Sequence, residues 1–215
     1  MSRKHVIITG TGRSGTTFLV QLLTHLGLET GFNSDEVESK NYDKNARAGL
    51  EHDVRQEHSP YIVKSPWFCD YAKEVLERDD IVIEHVFVPI RDLHAAAESR
   101  RLVVRAGIAK APLLKRFKNR LEPSGFAGGL WHTNSRKSGK QEEALQGQLY
   151  KLILALSDAM IPVTFMRYPR LVKDCRYLFE KLKPVLARTS YEDFNKIFNK
   201  TVRPQLVHSF NVDDC

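Results

Sequence analysis

Residues 5–23 read HVIITGTGRSGTTFLVQLL: an apolar strand, a loop hinged on glycines, then an amphipathic helix. That order is the layout of a phosphate-binding P-loop, in which amides at a helix N-terminus receive an anion. Val6-Ile7-Ile8-Thr9 shows no polar alternation, as expected of a central parallel strand covered on both faces. In the helix, Phe18, Leu19, Leu22, Leu23 and Leu26 recur at helical spacing, and Gly27 ends the run. One position departs from the nucleoside-triphosphate version. G-x-x-x-x-G-K-[ST] requires a lysine after its last glycine, whereas Gly15 is followed by Thr16 and Thr17 and the loop's cation is Arg13. Such a lysine would reach the β- and γ-phosphates of ATP, so an arginine three residues earlier points to a different anion.

Outward from this stretch, strands and helices alternate. Tyr61-Ile62-Val63-Lys64 predicts a second strand, stopped by Ser65-Pro66 and followed by a helix from Trp67 to Glu77. A third strand covers Ile81 to Val88 and ends at Pro89-Ile90-Arg91-Asp92, with Asp92 the N-cap of a helix running to Arg105. Residues 142–160 carry a leucine stripe (Leu145, Leu149, Leu152, Leu156) and predict another helix. A fourth strand over 162–166, a helix over 169–186 and a last helix capped by Ser190 complete the pattern. Residues 29–58 are polar and weakly periodic and read as irregular with short helices. The fold expected is a single α/β domain of three layers, a mostly parallel sheet flanked by helices. Ligands in such folds sit beyond the carboxyl ends of the strands, so the 10–15 loop, Lys64 and Arg91 should converge.

The chain of 215 residues has a formal net charge of +7. Residues 107–140 hold eight cations against Glu122, which accounts for the whole excess, and they are rich in glycine. We read them as a basic, mobile excursion from an otherwise balanced domain, suited to an anionic ligand. Three widely spaced cysteines, Cys69, Cys175 and Cys215, form no C-x-x-C pair and are expected to be free thiols. No apolar run reaches the ~18 residues of a membrane span, and the apolar run after the N-terminus is too short for a signal peptide. A cytoplasmic protein is expected. Oligomeric state is left open.

The anion-binding reading is built on particular residues. Gly12 and Gly15 let the backbone approach an anion, while Ser14, Thr16 and Thr17 add donors at the helix N-terminus. Arg91 and Ser99, eight residues apart, can grip a second phosphate. The order GRSGTT, then KSP after the second strand, then IRD with a serine eight residues beyond its arginine, resembles the PAPS-dependent sulfotransferases. RYPRLVKD, residues 167–174, is similar to a late element of that family, although Pro169 stands where the family has glutamate. The resemblance spans roughly residues 5–186.

That resemblance implies a donor, 3′-phosphoadenosine 5′-phosphosulfate (PAPS), with 3′,5′-adenosine bisphosphate as product and no metal required. Its 5′-phosphosulfate would lie on Gly12, Arg13, Ser14, Gly15, Thr16 and Thr17, and its 3′-phosphate on Arg91 and Ser99. Arg13 would stabilise charge on the leaving oxygen. Lys64, in KSP, would serve the transferring sulfonate or the acceptor. Glu36 and Asp35, ahead of Glu38, are the expected bases for an acceptor hydroxyl, with His58 in reserve. The Arg136-Lys137-Ser138-Gly139 run looks similar to another family motif but precedes the fourth strand, so it is not carried over. The expected acceptor is a carbohydrate or other small polar hydroxyl compound, with no nucleic acid as partner. The alternatives are a P-loop kinase or NTPase with Mg·ATP, using Thr16 or Thr17 and Asp92, and a non-catalytic nucleotide- or nucleic-acid-binding protein using residues 107–140.

Overall fold

The computed structural model describes residues 2–39, 42–43, 48–110 and 139–207. Four strands, β1 (Arg3–Ile8), β4 (Ile62–Lys64), β5 (Ile81–Ile90) and β6 (Val163–Arg167), form one sheet in the order β4-β1-β5-β6. Every pairing in it is parallel, which places all four carboxyl ends on one side. The chain leaves β1 for β4 on one flank and then crosses to β5 on the other. The end of β1 is therefore a topological switch point, where the first crossovers diverge and open a crevice. The second sheet is a two-residue antiparallel pairing of β2 (Tyr42–Asp43) with β3 (Ala48–Gly49).

The carboxyl halves of β1 and β5 and all of β4 are buried on both faces because their residues divide between two cores, whereas edge strand β6 buries only Met166. On one side Val6, Ile8, Ile62, Phe87 and Met166 pack against helices α1 (Thr16–His25), α7 (Cys175–Leu182) and α8 (Tyr191–Thr201). On the other, Ile7, Val63, Val86 and Val88 meet α3 (Phe68–Leu76) and α5 (Lys140–Asp158). Leu19, Leu22 and Leu23 of α1 are fully buried, each worth roughly 2 kcal/mol of transfer free energy. Ile83 and Val86 share a face although three residues apart, because the β1–β5 register slips between His5 and Val6. A bulge of this kind turns the following side chains over.

Most expected elements are present with shifted limits. The helix after Asp92, α4, spans Leu93–Lys110, five residues longer than its periodicity suggested. Gly107 to Lys110 thus continue that helix and Lys140 opens α5, while the expected excursion between them lies, over 111–138, outside the described residues. Arg101 ties the two helices by bonding Glu142 at 2.8 Å. The single helix expected over 169–186 is instead α6 (Arg170–Lys173), α7 and a 3₁₀ turn, because Asp174 leaves helical geometry to cap α7 through Tyr177 N at 2.9 Å. Residues 34–39 form a short helix, α2 (Ser34–Ser39), in the stretch read as irregular. The two described cysteines, Cys69 and Cys175, are free, as expected.

Candidate functional site

The loop from Thr9 to Gly15 leaves β1 at the switch point and delivers the chain to α1. Its backbone requires glycine at Gly10, where φ is 136° and a Cβ would come within 2.9 Å of the Pro89 carbonyl oxygen, and again at Gly12 and Gly15. Gly12 sits at φ 64°, and a Cβ there would come within 2.5 Å of Arg100 Nη2. Gly15 sits at φ 90°, where a Cβ would press on Leu171 and Tyr168 at 3.0 and 3.3 Å. Between them Arg13 adopts φ 55°, a left-handed conformation that costs a residue with a Cβ roughly 1–2 kcal/mol. Both ends of Arg13 are held in compensation. Its Nε donates to Ser99 Oγ at 3.1 Å, and its carbonyl accepts from Arg91 Nη1 at 2.9 Å.

Two guanidiniums therefore grip the loop from behind. Arg100 Nη2 donates to the Thr11 carbonyl at 2.6 Å, just as Arg91 holds that of Arg13. Arg91 also lies over the Tyr168 ring, 4.8 Å from its centroid. Arg91, Ser99 and Arg100 are all buried. Burial, and then the nearby positive charge of Arg13, pull the Arg100 pKa down to about 9, which leaves it charged at neutral pH. Burial likewise lowers that of Arg91, against the opposing pull of Tyr168 and Asp92.

Helix α1 begins at Gly15 with no side-chain cap. By contrast Asp92, Asp174 and Ser190 each cap their helix by accepting an amide hydrogen. The first-turn amides of α1 thus have no side-chain acceptor from the cap residue. Beside them the Ser14 hydroxyl is fully buried with no hydrogen-bond partner among the described residues. A buried polar atom in that state costs free energy unless a ligand or water satisfies it.

Lys64, last residue of β4, completes the site from the opposite flank. Its side chain is 2% exposed. Nζ donates to Thr17 Oγ1 at 2.9 Å, to Glu51 Oε1 at 2.9 Å, and to the Gly49 carbonyl. Burial pushes the ammonium pKa down, Glu51 opposes this, and Arg13 adds a smaller downward push. The bond from His52 N to the Lys64 carbonyl at 3.1 Å lays the segment carrying Glu51 along the end of β4.

The structure thus brings together Gly12, Arg13, Ser14, Gly15, Thr17, Lys64, Arg91 and Ser99, with Thr16 buried in the first turn of α1. The expected bases stand differently. Glu36 closes a capping box on α2, accepting from Asn33 N at 2.8 Å while its own amide donates to Asn33 Oδ1 at 2.9 Å. Asp35 is exposed beside it on the same helix. Glu38 pairs with His25 Nε2 at 3.5 Å, and His58 is exposed. Two residues that the sequence reading passed over belong to the cluster, Glu51 and Arg100. For Arg100 a signal existed, since it follows Ala96 by four residues and so shares that helix face, which is buried.

Chemically the arrangement is an electropositive cluster of fixed hydrogen-bond donors at a helix N-terminus, suited to a phosphate or sulfate group. Comparison of the chain with protein-family models, curated proteins and solved structures gives no match. Among the described residues no group of three or more His, Cys, Asp or Glu side chains is arranged to hold a metal ion.

Proposed function

We propose that the chain is a sulfotransferase that moves a sulfuryl group from PAPS to a hydroxyl of a carbohydrate or other polar acceptor. One observation supports this above the rest. Arg13, Arg91 and Ser99, which the sequence resemblance assigns to the two phosphate-bearing ends of that donor, form one hydrogen-bonded cluster at the switch point. The residues fit such a group: Ser14 Oγ is buried without a partner among the described residues, and the loop is bare of side chains at Gly12 and Gly15.

In this reading residues 12–17 hold the 5′-phosphosulfate and Arg91 with Ser99 hold the 3′-phosphate. PAPS supplies an activated sulfuryl group whose departure leaves charge on a phosphate oxygen. Arg13 meets that charge, and because its backbone and Nε are already fixed, little reorganisation is needed when the charge appears. Lys64 adds positive charge to the floor of the site. Arg100 keeps the loop carbonyl of Thr11 turned away from the anion. Proton removal from the acceptor stays with Asp35 and Glu36 on α2, of which Glu36 would first have to leave its capping box.

A kinase or NTPase needs a carboxylate for Mg²⁺ near the loop. Asp92 Oδ1 instead accepts from Ala95 N at 2.9 Å, as the cap of α4. No helix among the described residues is long and apolar enough to cross a membrane, and a cytoplasmic location belongs to the same proposal.

The direct test is thermal shift and calorimetric titration with 3′,5′-adenosine bisphosphate in the absence of magnesium, followed by transfer from ³⁵S-labelled PAPS to a panel of sugars and phenols. Magnesium-independent binding and labelled product are expected. Tight binding of Mg·ATP with no effect of the bisphosphate would overturn the proposal in favour of a kinase or NTPase.

A further inference from the structure

An ammonium group has three hydrogens to donate, and at Lys64 all three have acceptors inside the protein: Thr17 Oγ1, Glu51 Oε1 and the Gly49 carbonyl. With its side chain 2% exposed, this cation has no hydrogen left for a ligand. Beyond its through-space charge, any hydrogen-bonded influence on the glycine loop passes through a neighbour, and the neighbour in the right place is Thr17. The Thr17 oxygen accepts from Lys64, so its own hydrogen points away from the ammonium. No described group accepts that hydrogen. Thr17 is the second residue of α1, two positions beyond Gly15.

Glu51 determines where the ammonium sits. Its Oε1 takes the Lys64 hydrogen at 2.9 Å and also accepts from Gly49 N at 3.1 Å, so the carboxylate and Gly49 of β3 form one clamp around Nζ. Without the carboxylate, the lysine would lose the charge that balances it in a buried site.

We propose that Glu51 is a positioning residue of the anion site: it fixes the Lys64 ammonium on Thr17 and so makes the Thr17 hydroxyl an oriented, polarised donor to the anion in the 12–17 loop. This deepens the sulfotransferase reading and rests on it only for the identity of that anion. The relay makes a prediction of sign. A carboxylate that merely stood near the anion would repel it, and its neutralisation would tighten binding. A positioning carboxylate gives the reverse, since Lys64 loses its anchor and Thr17 its orientation.

The test is a double-substitution cycle read by calorimetric titration with two probes, 3′,5′-adenosine bisphosphate and inorganic pyrophosphate. Glu51→Gln and Thr17→Val are each expected to weaken binding about tenfold, the value of one charge-assisted hydrogen bond. Together they should weaken it no further than either alone. In a Thr17→Ser background, which keeps the hydroxyl, Glu51→Gln should recover its tenfold effect. Should Glu51→Gln fail to fold, the paired substitution Lys64→Met with Glu51→Leu removes both charges at similar volume. It should match Thr17→Val and add nothing to it.

Tighter or unchanged binding in Glu51→Gln, or losses that multiply across the cycle, would overturn the relay. Coupling seen with pyrophosphate while the bisphosphate does not bind would sink the sulfotransferase reading and leave the relay standing. Bisphosphate binding without coupling would sink the relay alone, and binding of neither probe would sink both.

Discussion

At the amino ends of β1 and β5, Lys4 bonds Glu84 at 2.6 Å, and Arg3 and Arg78 share the Asp80 carboxylate at 3.0 and 2.8 Å. At the carboxyl ends of β1, β4 and β5, Arg91 and Arg100 are buried and bond the carbonyls of the glycine loop, while Lys64 is buried against Thr17 and Glu51. The same sheet thus carries cations at both ends under opposite conditions. At one end they face water beside carboxylates, where an ion pair contributes little. At the other, like charges are gathered in low dielectric closely enough that Arg13 lowers the pKa of both Arg100 and Lys64. Accumulating charge this way is unfavourable for the protein alone and favourable once an anion arrives. In the proposed reading the contrast separates an end of the sheet whose exposed ion pairs contribute little from an end whose buried cations are balanced by an arriving anion.

The strongest way to break the comparison is to remove one arginine. Arg13→Ala is expected to lower the rate of labelled sulfuryl transfer about a thousandfold, ~4 kcal/mol, the upper range for a preorganised donor in an active site. Far-ultraviolet circular dichroism should remain native. Lys4→Ala, at the other end of the adjoining strand, should leave the rate unchanged. Equal losses in the two variants would mean that charge anywhere on the sheet serves the reaction, and the distinction between its ends would be gone.

Next in size is the loss of the carboxylate that balances Lys64. Glu51→Ala should destabilise the fold by about 3 kcal/mol in urea denaturation, because it strands a buried ammonium. Asp80→Ala, which removes a carboxylate exposed at the amino end, should shift the urea midpoint far less. If the midpoints move alike, burial is not what distinguishes the two sets of charges.

How far the sequence foretold this site follows from how local each signal was. The strand, glycine loop and α1 are contiguous, so residues 5–23 alone defined them, and a fixed spacing of eight residues carried Arg91 and Ser99 to the same place. The mostly parallel sheet followed from alternation of strand and helix, while its strand order, and with it the switch point at the end of β1, came only with the structure. Glu51 gave no such signal. It reaches Lys64 only because the short antiparallel pairing of β2 with β3 and the bond from His52 N to Lys64 lay its segment along the end of β4, and that stretch has neither periodicity nor motif. Arg100 was legible in principle from its place four residues after Ala96, but it was passed over, and a fully buried arginine is rare. Glu36 carried two local signals at once: its place soon after the first helix suggested a base, and Asn33 three residues before it signalled the capping box that the structure shows.

A smaller effect should separate the ends by pH. Burial, opposed in part by Glu51, holds the Lys64 pKa below its ordinary 10.5. The folded protein therefore releases this proton before the unfolded chain does. Between the two pKa values the unfolded chain binds more protons, so the contribution of Lys64 to folding stability rises with pH. Binding moves the opposite way, because the cation on Thr17 disappears. Bisphosphate affinity should fall as pH climbs from 8 toward 10.5, a range in which the phosphates, with a second pKa near ~6, no longer titrate. In Lys64→Met the decline should be smaller, the remainder coming from Arg100, whose pKa of about 9 lies in the same range. A wild-type affinity that stays level to pH 10.5 would remove Lys64 from the site.

The least effect is expected at the amino end itself, where a null result carries information. Lys4→Ala and Arg78→Ala remove cations whose carboxylate partners are substantially exposed, and such pairs are screened by salt. The six residues of β1 span ~17–20 Å at the rise of a parallel strand. That is about two Debye lengths at the ~0.15 M ionic strength of a cell. Neither variant should change bisphosphate affinity at that salt concentration. At about 0.01 M, where the screening length grows to ~30 Å, both should weaken binding slightly and by the same amount, since each removes one positive charge from the far end. A loss from either variant that persists at high salt would show that the amino end is coupled to the loop through the sheet rather than through the field, and the two ends would have to be treated as one device.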